Sequence, residues 1–168
     1  MIDREAAAAA REQAKSNAGP LARKVFEYTE AIERAVPRAK DAGAGNDVWA
    51  EVEALIDIAR FERVGNFKEV MTWPQYRAML AQWGGTTEFW SNFRAITEAG
   101  NRVFLELEEH NTPKGGAESV VNSLSLYEFD GAGKLVHLDI YLQYLPPGMD
   151  AAWGEVDFAA TAGEGVPA

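Results

Sequence analysis

Glu109 is the residue whose type and position most directly suggest chemistry. Side chains alternate between the two faces of a strand, and the stretch Arg102–Asn111 reads as one. One alternate set is Val103, Leu105, Leu107 and Glu109; the other is Phe104, Glu106, Glu108 and His110. The first set is apolar until its last member. If that set faces a core, desolvation raises the pKa of a carboxyl at its end, while a neighbouring guanidinium lowers it. A base poised near neutrality needs the first effect to win. The second pattern is His137 and Asp139, which share a face of the strand Leu135–Tyr144 opposite Val136, Leu138, Ile140 and Leu142. The apolar set should face the core, so His137 and Asp139 are expected on the outer face beside His110. A register shifted by one residue would turn them inward as a His–Asp dyad.

Other chemistries lack their residues. The chain has no cysteine and two histidines, so thiolate chemistry is excluded and a zinc or iron site lacks its three or four ligands. HExxH, GxSxG, GxGxxG and P-loop spacings are absent, so neither a metal nor a cofactor is expected. Sixteen Lys and Arg against 26 Asp and Glu give a net charge of −10 over 168 residues. Such a surface repels phosphate backbones and anionic lipid, so nucleic acid and membranes are not expected partners. No stretch approaches the roughly 20 apolar residues of a membrane span, and the N-terminus does not read as a signal sequence. A cytoplasmic location is expected.

The elements that must position Glu109 follow from periodicity. Asp3–Ser16 is an alanine-rich helical arm, and Asn17-Ala18-Gly19-Pro20 breaks it. Pro20 suits the first turn of a second helix, with Leu21, Val25, Thr29, Ile32 and Val36 at helical spacing, widened by Phe26 and Tyr28 and closed by Pro37. Asn46 caps a third helix with the stripe Val48, Val52, Leu55, Ile56 and Ala59. A short strand, Phe61–Val64, precedes a turn at Gly65-Asn66. Thr72 and Gln75 form a capping box for a helix carrying Tyr76, Met79, Leu80 and Trp83 and ending at Gly84-Gly85. Four alternating strands follow, Thr86–Thr97, Arg102–Asn111, Ser119–Phe129 and Leu135–Tyr144. Helices followed by an antiparallel meander predict an α+β domain. The expected division is an arm (1–19), a domain (20–145) and a tail (146–168) with Trp153, Val156 and Phe158 as its large apolar residues.

This order resembles the nuclear-transport-factor-2-like superfamily of ketosteroid isomerases, SnoaL-type polyketide cyclases and limonene epoxide hydrolases. The residues that carry the resemblance are Asn101–Glu109 and the strand–turn–strand segment Leu126–Val136, with Asp130-Gly131 at its turn. The resemblance implies a cystatin-like cone, a curved, mostly antiparallel sheet with three or more helices on its concave face. It implies that Val103, Leu105, Leu107 and Glu109 point inward, as do Ser123, Ser125, Tyr127 and Phe129, with Phe61 and Arg63 contributing from the short strand. Arg63 and Glu109 are then expected to meet in a pocket beside Tyr127, Ser123 and Ser125. Glu109 stands at the second acid of the epoxide hydrolase Arg-x-Asp motif, but Leu107 replaces its arginine and Ile140 stands where the hydrolases have their further acid. Ser125 replaces the protonated aspartate of the isomerases, and Arg63 their general base, a role that an always-charged guanidinium cannot fill.

The function expected from this reading is that of a small-molecule pocket protein, a cofactor-independent isomerase, cyclase or hydrolase. Glu109, Arg63 and Tyr127 would be catalytic. Phe61, Tyr76, Met79, Trp83, Leu107, Ser123, Ser125, Leu138 and Ile140 would bind a small hydrophobic molecule. A non-catalytic carrier and a protein-interaction domain are the alternatives, the last predicting a filled cone. The outer sheet face, with Phe104, Val120, Asn122, Leu124, Leu126 and Tyr141, is too apolar to stay wet, so a homodimer through that face is expected.

Overall fold

A computed structural model of the chain describes residues 4–39 and 46–143. The alanine-rich segment forms α1 (Arg4–Asn17) and stops where the Gly-Pro break begins. Helix α2 (Pro20–Ala39) starts on proline, whose missing N–H costs nothing in a first turn. The next two amides, of Leu21 and Ala22, both donate to Glu98 Oε2 at 3.0 Å. A carboxylate from another element thus caps the positive end of the helix dipole. Pro37, expected to close this helix, lies inside its last turn.

Residues Asn46–Trp49 form a 3-10 turn that runs into α3 (Ala50–Glu53). The apolar stripe predicts a longer helix here. Val48, Val52 and Ile56 are buried as that stripe requires, but the chain leaves the helix because its backbone pairs elsewhere. Leu135 N–H donates to the Leu55 carbonyl and Asp57 N–H to the Leu135 carbonyl, each at 3.0 Å.

Next comes a hairpin, β1 (Glu62–Val64) and β2 (Val70–Thr72), whose second strand the sequence pattern does not reveal. Helix α4 (Trp73–Thr86) opens on the expected capping box, with Gln75 Oε1 accepting from the Thr72 N–H at 2.9 Å. It runs through Gly84-Gly85 instead of ending there. Gly84 faces Val36 of α2, and a Cβ at that position would overlap the valine methyl. This glycine therefore permits a close helix approach rather than terminating a helix.

The meander is β3 (Thr87–Ala99), β4 (Arg102–Pro113), β5 (Ser119–Phe129) and β6 (Leu135–Gln143). The sheet order is β2-β1-β6-β5-β4-β3, antiparallel throughout except for the β1–β6 pair. Register breaks at Phe93/Ala95 and Glu128/Phe129 increase the local bend, as bulges do. At the second break Phe129 pairs with Leu135 and Glu128 with His137. Leu135 is consequently a core residue, 1% exposed, where simple alternation assigns that face to Val136.

The result is the expected α+β cone, a curved and mostly antiparallel sheet with the helices on its concave side. Val103, Leu105, Tyr127, Phe129 and Leu138 from the sheet share one core with Val25, Tyr28, Val52, Tyr76 and Leu80 from the helical layer. Each fully buried large aliphatic there contributes about 1.5–3 kcal/mol. No helix among the described residues is long and apolar enough to cross a membrane. The tail 146–168 and its three anchor candidates lie outside the described residues.

Candidate functional site

A cleft of about 1460 Å³ lies between the concave sheet face, α2 and α4, with α1 along one wall. Its inner end is bordered by buried Arg63, Tyr28, Tyr76, Tyr127 and Leu138, and its outer end by exposed Lys114, Gly115, Gly116 and Ser119. Of the side chains singled out from sequence, Glu109, Arg63, Tyr127, Tyr76, Met79, Trp83, Leu107, Ser125, Leu138 and Ile140 line it. Phe61 does not. It sits behind the wall, stacked on Tyr76 with ring centroids 6.2 Å apart and edge-on to Trp73. Ser123 is buried next to Glu109 rather than on the cleft surface.

Glu109 lies toward the outer half. Burial pushes its carboxyl above the ordinary value, and the neighbouring Ser123 hydroxyl offsets this only in part. That hydroxyl meets no partner at hydrogen-bonding geometry. Among the described residues no cation lies within ion-pair distance of Glu109. Its neighbour Glu108, on the convex face, goes the other way. The Asn92 amide at 2.8 Å and Arg94 at 2.5 Å, with His110 beside them, hold Glu108 below the ordinary carboxylate range. Two carboxyls adjacent in sequence are thus pushed in opposite directions by their surroundings on the two faces of β4.

Arg63 and Glu109 do not meet. The β-ladder sets Arg63 level with Leu138, Tyr127 and Val103, whereas Glu109 lies six residues further along the same strand as Val103. At about 3.3 Å per residue that is roughly 20 Å of strand. Arg63 Nη1 instead donates to Glu69 Oε1 at 2.9 Å across the β1–β2 hairpin. Glu69 also accepts from the Phe67 N–H, and its carboxyl is held below the ordinary value by the guanidinium against a burial effect that would raise it. Gly65 makes room for the pair, since a Cβ there would overlap the Glu69 carboxylate.

Three phenols gather around the inner end. Tyr28 and Tyr127 meet edge-on at 5.9 Å, and the Arg63 guanidinium lies 5.3 Å from the Tyr76 ring centre. Burial pushes all three phenols upward, with mutual repulsion adding to the rise at Tyr28 and Tyr127. They therefore remain protonated donors. Sequence reasoning placed Tyr28 only in the apolar stripe of its helix; a phenol at the edge of such a stripe was the available signal. It missed Glu69 because β2 was not visible.

His137 and Asp139 are on the convex side, 3.0 Å apart, with Glu62 3.8 Å from the other ring nitrogen. The buried partner of this register is Leu138, 1% exposed, so the inward dyad is not formed. His110 is also on that side, stacked 3.7 Å from Trp90. Among the described residues no three His, Asp or Glu side chains converge as a metal ion would require.

No protein-family model matches the chain, and no curated protein matches it by sequence. Solved structures do match in shape. A candidate isomerase from Rhodopseudomonas palustris superposes with a TM-score of 0.58 at 13% identity, covering 78% of this chain and 96% of its own. An NTF2-like protein from Burkholderia thailandensis gives 0.57 at 16% identity, covering 75% and 92%. An epoxide hydrolase of M. tuberculosis, resembling limonene epoxide hydrolase, gives 0.50 at 15%, covering 70% and 84%. At such low identity and such broad coverage, shape is what is shared: the chain has the NTF2-like α+β cone fold.

Proposed function

We propose that the cleft binds a small hydrophobic molecule and that Glu109 moves a proton on it, without a cofactor, in an isomerase-, cyclase- or hydrolase-type reaction. The observation that carries this reading is an unpaired carboxyl in an apolar cleft whose surroundings favour its protonated form. Such a group, once ionised, is a stronger base than a surface glutamate and works nearer neutrality. Tyr127 and Ser125, buried on the neighbouring strand, stand level with Val103 and Leu105, nearer along the ladder to Arg63 than to Glu109. The class of step is proton abstraction beside a carbonyl.

The test is hydrogen exchange between deuterated water and the α-carbons of an apolar bicyclic ketone, 1-decalone, followed by NMR. Wild-type protein should accelerate exchange over buffer, and Glu109→Gln should lower that acceleration by about a hundredfold or more. Exchange no faster than buffer, or unaffected by the substitution, would overturn the catalytic role.

A carrier is the second reading, favoured by the pairing of Arg63 with Glu69 rather than with Glu109. A carrier would release a co-purifying lipophile in native mass spectrometry, and Glu109→Gln would still retain it. Open space in the cleft, about 1460 Å³, also favours a ligand-binding role over a filled interaction domain. The convex face pairs with a second copy in this proposal. Val120 and Tyr141 are half exposed there, beside the partly buried Phe104, Leu124 and Leu126.

A further inference from the structure

Among the described residues, two buried donors at the inner end of the cleft have no acceptor at hydrogen-bonding geometry: Arg63 Nε–H, on a residue 9% exposed, and the hydroxyl of Tyr28, 3% exposed. The Tyr76 phenol, whose ionisation both side chains influence, is close by but outside that geometry. Both side chains border the cleft, and the positive charge of Arg63 is felt at the Tyr28 phenol. Orphaned donors are uncommon in a folded interior, and each calls for an explanation. Nη1 of Arg63 already serves Glu69 on the hairpin side. The Nε–H is on a different part of the planar fork and remains available to something else.

We propose that this end of the cleft receives the carboxylate of an otherwise apolar ligand, with Arg63 Nε–H and the Tyr28 hydroxyl as its donors. The inference rests on the reading of the cleft as a site for a hydrophobic molecule and adds the charge of that molecule. A guanidinium donating to a carboxylate makes a strong, charge-assisted bond. A phenol that stays protonated supplies the second donor without adding charge. The long-range field of a chain with net charge −10 repels anions, so the recognition has to be local and sheltered, as it is here. The ligand's body would then run from Arg63 past Leu107 toward Glu109 and the outer end. This arrangement gives the distance between Arg63 and Glu109 a use: one anchors the head while the other faces the body.

Isothermal titration calorimetry with decanoate and with 1-decanol at pH 8 tests the proposal, because the two probes share a chain and differ in head group. Wild-type protein should bind decanoate at least tenfold more tightly than decanol. Arg63→Met should remove that preference while changing the decanol Kd less than twofold, and Tyr28→Phe should reduce the preference at least threefold. Should Arg63→Met fail to fold, Arg63→Lys, which keeps the charge and loses Nε–H, should show an intermediate preference. Equal affinity of wild type for both probes, or a preference intact in the Arg63 variants, overturns the proposal. Binding of neither probe overturns it together with the ligand-site reading. Acid-selective binding combined with ketone exchange indifferent to Glu109 overturns only the catalytic role.

Discussion

Glu53, Glu69, Glu108 and Glu128 each have an arginine within 3.2 Å, and among the described residues Glu109 has none. The missing cation is what lets burial decide its ionisation. Between the ordinary carboxylate range and its own raised value, the folded protein holds a proton that the unfolded chain has released. Stability therefore falls as pH rises through that window. Glu109→Gln has no such proton to lose. It should be more stable than wild type at pH 8 by chemical denaturation, and its advantage should vanish below about pH 4, where both states of the wild type are protonated. An advantage that persists at pH 3, or a variant less stable at pH 8, would contradict a desolvated carboxyl. The apolar row ending in an acid was legible in the sequence because alternation is strict along β4. The partner of Arg63 was not, since it depends on a three-residue strand and on the six-residue offset between Arg63's row and Glu109.

The strands and the capping box of α4 were readable because each rests on local chemistry: alternation of ten or so residues, or a Thr-x-x-Gln spacing. Where tertiary pairing competes with local pattern, the pattern misleads. Helix α3 is cut to four residues because Leu55 and Asp57 give their backbone groups to Leu135, 78 or more positions away in sequence. Strand β2 consists of Val70, Met71 and Thr72, too few for alternation to register, and Met71 also fits a helix staple. The α2 cap belongs to this class as well, because Glu98 comes from the far end of β3. Removing it with Glu98→Ala should cost about 1 kcal/mol of stability, read as a lower urea midpoint with an unchanged slope. No change in midpoint would mean that water replaces the carboxylate at no cost.

The cone as an assembly was visible from the order of helices and strands, and its chemistry was not, because a fold shared at such low identity fixes the shape of a cleft and not the groups that line it. The convex face adds an expectation for the complete particle. Native mass spectrometry should give twice the monomer mass, and the double substitution Val120→Lys/Tyr141→Lys should shift it to the monomer. A wild-type monomer at micromolar concentration would show that this face stays wet. The proposed chemistry turns on the ionisation of one group in the intact protein. That ionisation can be followed by carbon-13 NMR of the glutamate side-chain carboxyls from pH 3 to 9, with Glu109→Gln to identify the resonance. The carboxyl of Glu109 should titrate above the ordinary glutamate value of about 4.3. A midpoint at or below that value would contradict the proposed proton carrier.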